Sequence, residues 1–519
     1  MRKISRLFLI ICVGTVLFAF ASQQKPNVEW DMIAKIREEG FQRSQVMEMA
    51  GYMSDVLGAR LTLSQDMKRA QIWVKHKMEE IGLVNTLIEP FMDYGVAWDN
   101  EYFSLHMLEP DYQPLVGFPL THTPSTSGKI TGSAVISDIR TQQDLDKFRG
   151  KLAGTVVLTT PPAVIDLEAL ARATPRRSQE ELKIMEEDVI PRPRRRRGND
   201  EPPNPEILKA EEKIAFYKAE GVLALLECRS GRLGAVRGFA RPGTKEDKWS
   251  RENSLNSMPI IAVTPEHYNR MYRILERKIP VKVELEVRNR LGEKVEQACN
   301  TLGEIPGTDL RDEVVMIGAH FDTWHASPNS SDNTSGCAVA LEAARILKAI
   351  GARPRRTIRV ALWAGEEQGI HGSREYVTKH FGDPKVTEIG IKPEYEKFSV
   401  YFNQDYGAGA FRGIFLQGNE YARRFFRAWM EPLKDLGFFA ISIQSVGSTD
   451  HVSFDAVGLP GFQFIQDRIP GTAGHTNLDF FDTLQADDLK KNAVIMAVFA
   501  YHAAMSDERI PRKTIAPSR

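Results

Sequence analysis

After residue 295 the sequence alternates short apolar runs with amphipathic stretches, and this alternation constrains the fold more than any other feature. Strand-like runs at 314–317 and 357–363 are followed by helical patterns at about 334–350 and 372–380. More strand-like runs follow later in the chain. Strands that alternate with helices predict an α/β fold, with a mixed, mostly parallel sheet flanked by helices.

Side chains of the metal-ligand type follow the predicted strands directly. They are His320 and Asp322 after the first strand, Asp332 twelve residues after His320, Glu366 and Glu367 after the next strand, Asp405 after a third, and His475 in a late loop. Ligands bind beyond the carboxyl ends of the strands in such a sheet, so we expect these side chains to lie close together. One acidic residue at a strand end is weak evidence by itself, because it often caps the next helix.

Together these residues form a set of oxygen and nitrogen donors that suits zinc, and one of the carboxylates could bridge two ions. Adjacent Glu366 and Glu367 point in different directions, so one can bind a metal while the other faces a substrate. Two ions about 3.5 to 4 Å apart would activate a water and polarise a carbonyl. The pattern therefore predicts a hydrolytic site with two metal ions.

These motifs resemble the co-catalytic di-zinc aminopeptidases, and most closely their plasma glutamate carboxypeptidase-like branch. The similarity runs from the GARLT sequence at 58–62 to the C-terminal region. It includes the RPRRT sequence at 353–357, which leads into the strand before Glu366 and Glu367. The resemblance implies a zinc-exopeptidase-like catalytic domain that binds two Zn²⁺ ions.

The resemblance also implies a role for each residue of the set. His320 and Asp405 would be ligands of one zinc, Glu367 and His475 ligands of the other, and Asp332 would bridge them. Glu366 would be the general base, which takes a proton from the attacking water and delivers it to the leaving amine. Asp322 would orient the imidazole of His320 from behind the metal.

One motif departs from the family's commoner form. The usual pattern is Ser-Asp-His followed by Phe, whereas this chain has TDHVSF at 449–454, so a threonine carries the hydroxyl. Ser448, Thr449 and His451 are candidate donors to the oxyanion that forms during hydrolysis. The sequence does not decide among them, and a loop that only packs below the site is an equal alternative.

Between 114 and 294 the sequence changes to short β runs such as 155–159 and 222–226. The GKLAG sequence at 150–154 and the KAEG sequence at 218–221 resemble the protease-associated (PA) domain. We therefore expect a β-rich PA-like domain at 114–294, inserted into the catalytic domain.

The catalytic domain would then be discontinuous and comprise 22–113 and 295–519. Within the PA-like domain, a polar insertion at about 171–206 is predicted to be disordered. From 191 to 206 it has no apolar side chain except proline, and five arginines lie between Arg192 and Arg197. Such a segment cannot bury enough surface to order itself. An exposed loop is the expected state, and binding to an anionic surface is the alternative.

The first 21 residues have the pattern of a secretory signal peptide. Arg2, Lys3 and Arg6 precede an apolar run at 7–20, and an A-x-A cleavage site ends at Ala21. The apolar run is short for a membrane span, which makes a retained anchor the weaker alternative. We therefore expect an exported protein, periplasmic or extracellular, with no stable membrane span after the signal is removed.

The charge balance narrows the range of partners. The chain has 68 Lys+Arg and 68 Asp+Glu, so it lacks the global positive charge of a nucleic-acid binder. The expected partners are short peptide substrates, and the expected activity is zinc-dependent exopeptidase hydrolysis. The preferred peptide end and the oligomeric state stay open, with a homodimer as one alternative.

Two other functions fit the same scaffold. One is a catalytically inactive receptor or binding protein, and the other is an acyltransferase similar to glutaminyl cyclase with a single zinc. Every expected ligand position and Glu366 carry the expected residue type, which favours an enzyme over a receptor. The complete two-metal set argues against the acyltransferase.

Overall fold

The structure is a computed structural model of the 519-residue chain. It describes residues 26–165, 176–192, 206–229, 233–243, 248–386, 388–405, 407–469 and 474–513. The predicted signal peptide at 1–21 and the arginines at 194–197 lie outside the described residues.

The strands belong to two large sheets and one small hairpin. In chain order they are β1 Val84–Gly95, β2 Trp98–Glu109, β3 Gln113–Pro114, β4 Gly117–Pro119, β5 Ile130–Ile136, β6 Thr155–Leu158, β7 Ala224–Glu227, β8 Ile260–Val263, β9 Lys282–Leu291, β10 Glu296–Ile305, β11 Leu310–His320, β12 Arg356–Trp363, β13 Gly382–Asp383, β14 Gly390–Ile391, β15 Phe398–Asn403, β16 Phe411–Phe415, β17 Ala440–Ser442 and β18 Gly461–Gln466.

The helices pack mainly on the faces of these sheets. The α-helices of the described residues are α1 Trp30–Gln42, α2 Val46–Gly51, α3 Gln65–Ile81, α4 Gln142–Phe148, α5 Gln179–Glu187, α6 Ala210–Ala219, α7 Arg251–Asn256, α8 Pro265–Glu276, α9 Ser335–Ala349, α10 His371–His380, α11 Pro393–Lys397, α12 Arg423–Met430, α13 His451–Ala456 and α14 Ala486–Met505. Within the described ranges, no helix is both long and apolar enough to cross a bilayer.

The larger sheet confirms the predicted fold class. Its eight strands lie in the order β1-β10-β12-β11-β15-β18-β16-β17. The four central strands β12, β11, β15 and β18 are parallel, whereas β1 and β10 pair antiparallel at one side. The α/β fold is therefore a mixed, mostly parallel sheet, with helices on both faces.

The central strands are apolar throughout because both faces of the sheet are covered. All six residues of β15 are buried. Val400 and Phe402 join the core formed with α1, α3, α9 and α14, while Tyr401 between them joins the opposite core, to which α10 and α13 contribute. Strands buried on both faces read as continuous apolar runs, which explains why the sequence pattern identified them.

The second sheet has the order β3-β2-β9-β5-β6-β7-β8-β4. The chain passes from the larger sheet to this one between β1 and β2, at 96–97, and returns between β9 and β10, at 292–295. A boundary at residue 114 would separate β2 from β9, its partner in the sheet. We therefore propose 96–97 and 292–295 as the junctions of the inserted unit, and its PA-like character stays a prediction.

The prediction of a disordered insertion at 171–206 is wrong for residues 176–192. This segment contains α5, whose first turn is capped because the Ser178 hydroxyl accepts the N–H of Glu181 at 3.1 Å. Leu182 is fully buried against Ala440 and Ile465 of the larger sheet. The apolar side chains of α5 give the segment a surface to bury, which the neighbouring arginine and proline run obscured.

Candidate active site

The predicted ligands converge at one edge of the larger sheet. His320 is the last residue of β11, Glu367 follows the end of β12, and Asp405 follows the end of β15. The three strands are parallel neighbours, with β11 between the other two. Their carboxyl ends therefore bring the three side chains to one place, where an open α/β sheet binds its ligands.

Asp332 links two groups of donor atoms. In the first group, His320 Nε2 lies 3.2 Å from Asp332 Oδ1 and 3.2 Å from Asp405 Oδ1. In the second group, His475 Nε2 lies 2.8 Å from Asp332 Oδ2 and 3.1 Å from Glu367 Oε2. Asp332 thus offers one carboxylate oxygen to each group, and the five residues form two sets of three that share it.

The donor sets fit zinc in chemistry and spacing. Four donors at zinc distances in a tetrahedron lie about 3.3 Å apart, and the separations found here are between 2.8 and 3.2 Å. Within each set the donor atoms all lie within 4.8 Å of one another. Glu367 Oε1 is buried without a hydrogen-bond partner, so it has an unused lone pair for a cation.

The electrostatics of the site also call for cations. Burial raises the pKa of Glu366 well above its usual range and that of Glu367 to about 7. Asp332 raises the pKa of His475 to about 12, with help from Glu367 and against the effect of burial. Buried carboxylates that lack enough positive partners take up protons, and a divalent ion would remove that need.

Asp322 contacts the imidazole of His320 through its main chain. Its carboxylate Oδ1 is 3.9 Å from His320 Nδ1, whereas Nδ1 lies 3.0 Å from the main-chain carbonyl oxygen of Asp322. The carbonyl therefore accepts the Nδ1 proton and leaves the Nε2 lone pair facing Asp332 and Asp405. Asp322 thus contacts the imidazole as expected, but through its main-chain carbonyl oxygen, an atom that the expectation did not specify.

The Asp322 carboxylate instead fixes the two adjacent glutamates. It accepts the main-chain N–H of Glu366 at 3.1 Å and that of Glu367 at 3.2 Å. These bonds hold the turn after β12, so the side chains of Glu366 and Glu367 leave a fixed backbone. Glu367 then points to His475, while Glu366 lines an adjoining cavity.

This cavity has a volume of about 410 Å³ and opens from the donor cluster. Asp332, Glu366, Asp405 and His475 line its reactive end. The volume lies in the usual range for small-ligand sites, which suits a short peptide better than a folded protein. The cavity is therefore the candidate substrate site.

The three oxyanion candidates separate in the structure. Ser448 and Thr449 line the cavity, and the Thr449 hydroxyl accepts a hydrogen bond from Asn403 Nδ2 at 2.9 Å. His451 is fully buried, contacts Gln417, and lies 3.2 Å through Nε2 from the carbonyl oxygen of Val446. His451 is therefore not among the residues that line the cavity, whereas Ser448 and Thr449 are.

Arg60 is a structural residue of the site for which the sequence pattern predicts no role. Its guanidinium is fully buried and donates to the carbonyl oxygens of Phe321, Met53 and Gly58 and to the Thr334 hydroxyl. These bonds connect the two loops that carry Asp322 and Asp332. The GARLT motif was the available signal, but it does not reveal which loops the arginine joins.

Asp450 is a further buried acid of this region, and the sequence pattern predicts no role for it. Burial raises its pKa to about 7, while the charge of His320 acts in the opposite direction and that of Asp405 adds to the rise. The residue is the aspartate of the TDHVSF motif, and its burial cannot be predicted from that motif alone.

All of the donor residues fall within a region that matches a known family. Residues 300–500 match the model of Peptidase family M28. This region belongs to peptidase family M28. The M28 match, together with relatives such as carboxypeptidase Q, identifies the protein as a metallo-exopeptidase and therefore as a hydrolase.

Similar proteins match nearly the whole chain and not only the M28 region. Carboxypeptidase Q of Mus musculus is 24% identical over 484 residues, which cover 91% of this chain and 88% of that protein. The crystal structure of a peptidase M28 precursor from Shewanella amazonensis SB2B has a TM-score of 0.66 at 21% identity and covers 94% of this chain and 99% of its own. The structure of a zinc aminopeptidase from Bacillus subtilis has a TM-score of 0.54 at 17% identity. The match covers 90% of this chain and 98% of that one. These two structures share the fold.

Proposed function

We propose that this protein is an exported exopeptidase with two zinc ions that hydrolyses short peptides from one end. The observation that carries the proposal is the pair of donor sets that share Asp332 and lie beside the cavity lined by Glu366. A receptor on the same scaffold would have no need for a partly buried acid that faces the cavity next to complete donor sets.

In this proposal the five donors divide into two ion sites. His320 and Asp405 would hold one ion, Glu367 and His475 would hold the other, and Asp332 would offer one carboxylate oxygen to each. When bound, zinc supplies Lewis acidity, which lowers the pKa of water and polarises a peptide carbonyl.

The side chains of this protein then carry the proton and stabilise charge. Glu366 accepts a proton from the attacking water on its carboxylate and later delivers it to the leaving amine. The hydroxyl groups of Ser448 and Thr449 are donors to the negative charge that develops on the carbonyl oxygen when water attacks the carbonyl carbon. The Asp322 carboxylate keeps Glu366 in place by accepting the main-chain N–H of Glu366.

The test is a peptidase assay with the metal removed and restored. The purified protein should cleave free dipeptides, lose the activity with a chelator, and regain it with zinc, manganese or cobalt. Full activity of the metal-free protein would contradict the proposal. No cleavage of any short peptide by the zinc-loaded protein would favour the receptor.

Export is the second part of the proposal and rests on residues 1–21. Their basic start, apolar run and A-x-A site predict cleavage after Ala21. N-terminal sequencing of the native protein should therefore read from Ser22 in an exported fraction. A chain that begins at Met1 and remains in the cytoplasm would contradict export.

A further inference from the structure

Two arginines line the same cavity as Glu366 and Asp405. Arg177 comes from segment 176–192, which enters from the inserted unit, and Arg468 follows β18 of the larger sheet. The cavity thus joins a reactive acidic end to a wall that carries two guanidinium groups. Two parts of the chain about 290 residues apart contribute this wall.

The Arg177 side chain is fixed in place. Its main-chain N–H donates to Asp467 Oδ1 at 2.9 Å, and its Nε donates to the carbonyl oxygen of Gln466 at 2.8 Å. Nη1 lies 3.4 Å from Glu181 Oε1, and in the part of the chain that the structure describes Nη2 has no hydrogen-bond partner. The group therefore has a preset orientation and a spare donor.

The acids nearby do not neutralise both arginines. Glu181 is the one acid that the structure, in its described ranges, pairs with Arg177 and also with Arg468. Asp467 lines the cavity too, but its carboxylate is fully buried and already paired with Arg176 at 3.0 Å and Arg412 at 3.2 Å. One positive charge is left over at the wall.

The positive charges of the Arg177 and Arg468 guanidinium groups also repel each other. Burial lowers the pKa of Arg177, and the positive charge of Arg468 lowers it further. An anion between them would relieve this repulsion. The remaining acids of the lining, Asp332, Glu366 and Asp405, belong to the donor cluster and its base, so none of them is free to serve as that anion.

We propose that Arg177, with Arg468 beside it, binds a carboxylate of the peptide substrate and thereby determines specificity. This inference rests on the proposed exopeptidase function and adds the substrate class to it. A guanidinium binds a carboxylate through two parallel hydrogen bonds, which fixes both orientation and distance. Phe415 and Phe464 line the same cavity and would contact the apolar part of such a substrate.

A substrate carboxylate can come from the C-terminus or from an acidic side chain, and two pairs of peptides distinguish these sources. The first pair is Ala-Ala and its C-terminal amide, and the second is Ala-Glu-amide and Ala-Gln-amide. In each pair only the carboxylate is replaced by a neutral amide. The zinc-loaded full-length protein is assayed with all four peptides.

Arg177→Ala is the main variant, and Arg177→Lys and Arg468→Ala accompany it. Arg177→Ala should lower kcat/KM about 10- to 100-fold for the carboxylate member of one pair, mainly through KM, since hydrogen bonds to charged groups have this magnitude. Its effect on the neutral member should stay within about twofold. Arg177→Lys should recover part of the loss, because it keeps the charge but not the fork of donors.

The matched control is Arg427→Ala. Arg427 is exposed and pairs with Glu186 of α5 at 2.6 Å, outside the cavity lining. This variant weakens the docking of α5 without removing a charge from the cavity, so it should leave the preference for the carboxylate unchanged. Arg468 is 42% exposed, so Arg468→Ala folds even where a buried substitution does not.

The outcomes separate the inference from the function beneath it. Selective loss in the first pair assigns the C-terminal carboxylate, and selective loss in the second assigns an acidic side chain. Equal loss on all four peptides, or no loss in any, would overturn the inference while the enzyme remains an exopeptidase. If the wild-type protein cleaves none of the four, the proposed function itself fails and the inference with it.

Discussion

The Asp322 carboxylate accepts the main-chain N–H of Glu366 at 3.1 Å. Asp322 also accepts the main-chain N–H of Glu367, so a buried acid at the end of one strand holds the proposed base and a proposed metal ligand at the end of the next. The positions of both glutamates therefore depend on a residue that need not touch the substrate.

Replacing Asp322 tests this dependence. Asp322→Ala removes both acceptors, so kcat/KM and zinc affinity should fall about 10- to 100-fold, as for other residues that support metal ligands. Asp322→Asn keeps one acceptor oxygen and should lie between the alanine variant and the wild type. Kinetics and metal content measured on the same samples check the prediction, and wild-type values for Asp322→Ala would refute it.

Substitution by glutamine should affect zinc binding differently at Glu366 and at Glu367. Glu366→Gln should keep both zinc ions and lose at least the roughly 10² to 10⁴ in turnover that general-base catalysis contributes. Glu367→Gln should lose zinc, because the amide replaces a carboxylate ligand. Metal analysis by mass spectrometry compares the two variants, and loss of zinc in Glu366→Gln alone would mean that their roles are reversed.

The inserted unit contacts the loop that carries His475. The main-chain N–H of Val236 donates to Asn477 Oδ1 at 2.5 Å, and Asn477 Nδ2 donates to the carbonyl oxygen of Gly234 at 3.2 Å. Asn477→Ala removes both bonds, so we expect about a tenfold loss of zinc affinity. Titration of the metal-free protein with zinc measures it.

Lys282→Ala is the control for Asn477→Ala. Lys282 also belongs to the inserted unit, but its ion pair with Glu109 is exposed and 3.6 Å long. Exposed pairs of this kind contribute little to stability, so zinc binding should not change. Equal affinities in the two variants would show that the inserted unit does not position His475.

Segment 176–192 should depend on one buried side chain. Leu182 is fully buried, whereas Ile184 on the same helix is 51% exposed. Leu182→Ala should destabilise the docked segment by about 2 kcal/mol, the lower end of the range for buried leucine, and so speed its proteolysis ~30-fold. The Ile184→Ala variant should be digested at nearly the wild-type rate. Trypsin digestion followed by mass spectrometry measures both, and equal rates would contradict docking through Leu182.

Much of the fold and of the donor cluster could be predicted because both follow from local patterns. Buried central strands such as β15 are continuous apolar runs, and the edge where parallel strands end is the known place for ligands. Chemistry-bearing residues placed at successive strand ends, such as His320 and Asp405, therefore had to meet.

Other features depend on partners far along the chain. The passage from the larger to the second sheet takes only Val96 and Ala97, which give no turn signal, and β1 and β2 differ only in their distant partners β10 and β9. The role of Asp322 could not be predicted in its atoms, because a sequence does not distinguish a carbonyl acceptor from a carboxylate. The fixed position of Arg177 could not be predicted, because the arginine and proline run after α5 is typical of a disordered segment.

The number of zinc ions that the protein binds tests the central claim most directly. Calorimetric titration of the metal-free protein with zinc, with peptide hydrolysis measured at each step, should give two ions per chain, and Asp332→Ala should abolish binding of at least one. A single zinc per chain in the fully active wild-type protein, or unchanged binding in Asp332→Ala, would contradict the two-ion site.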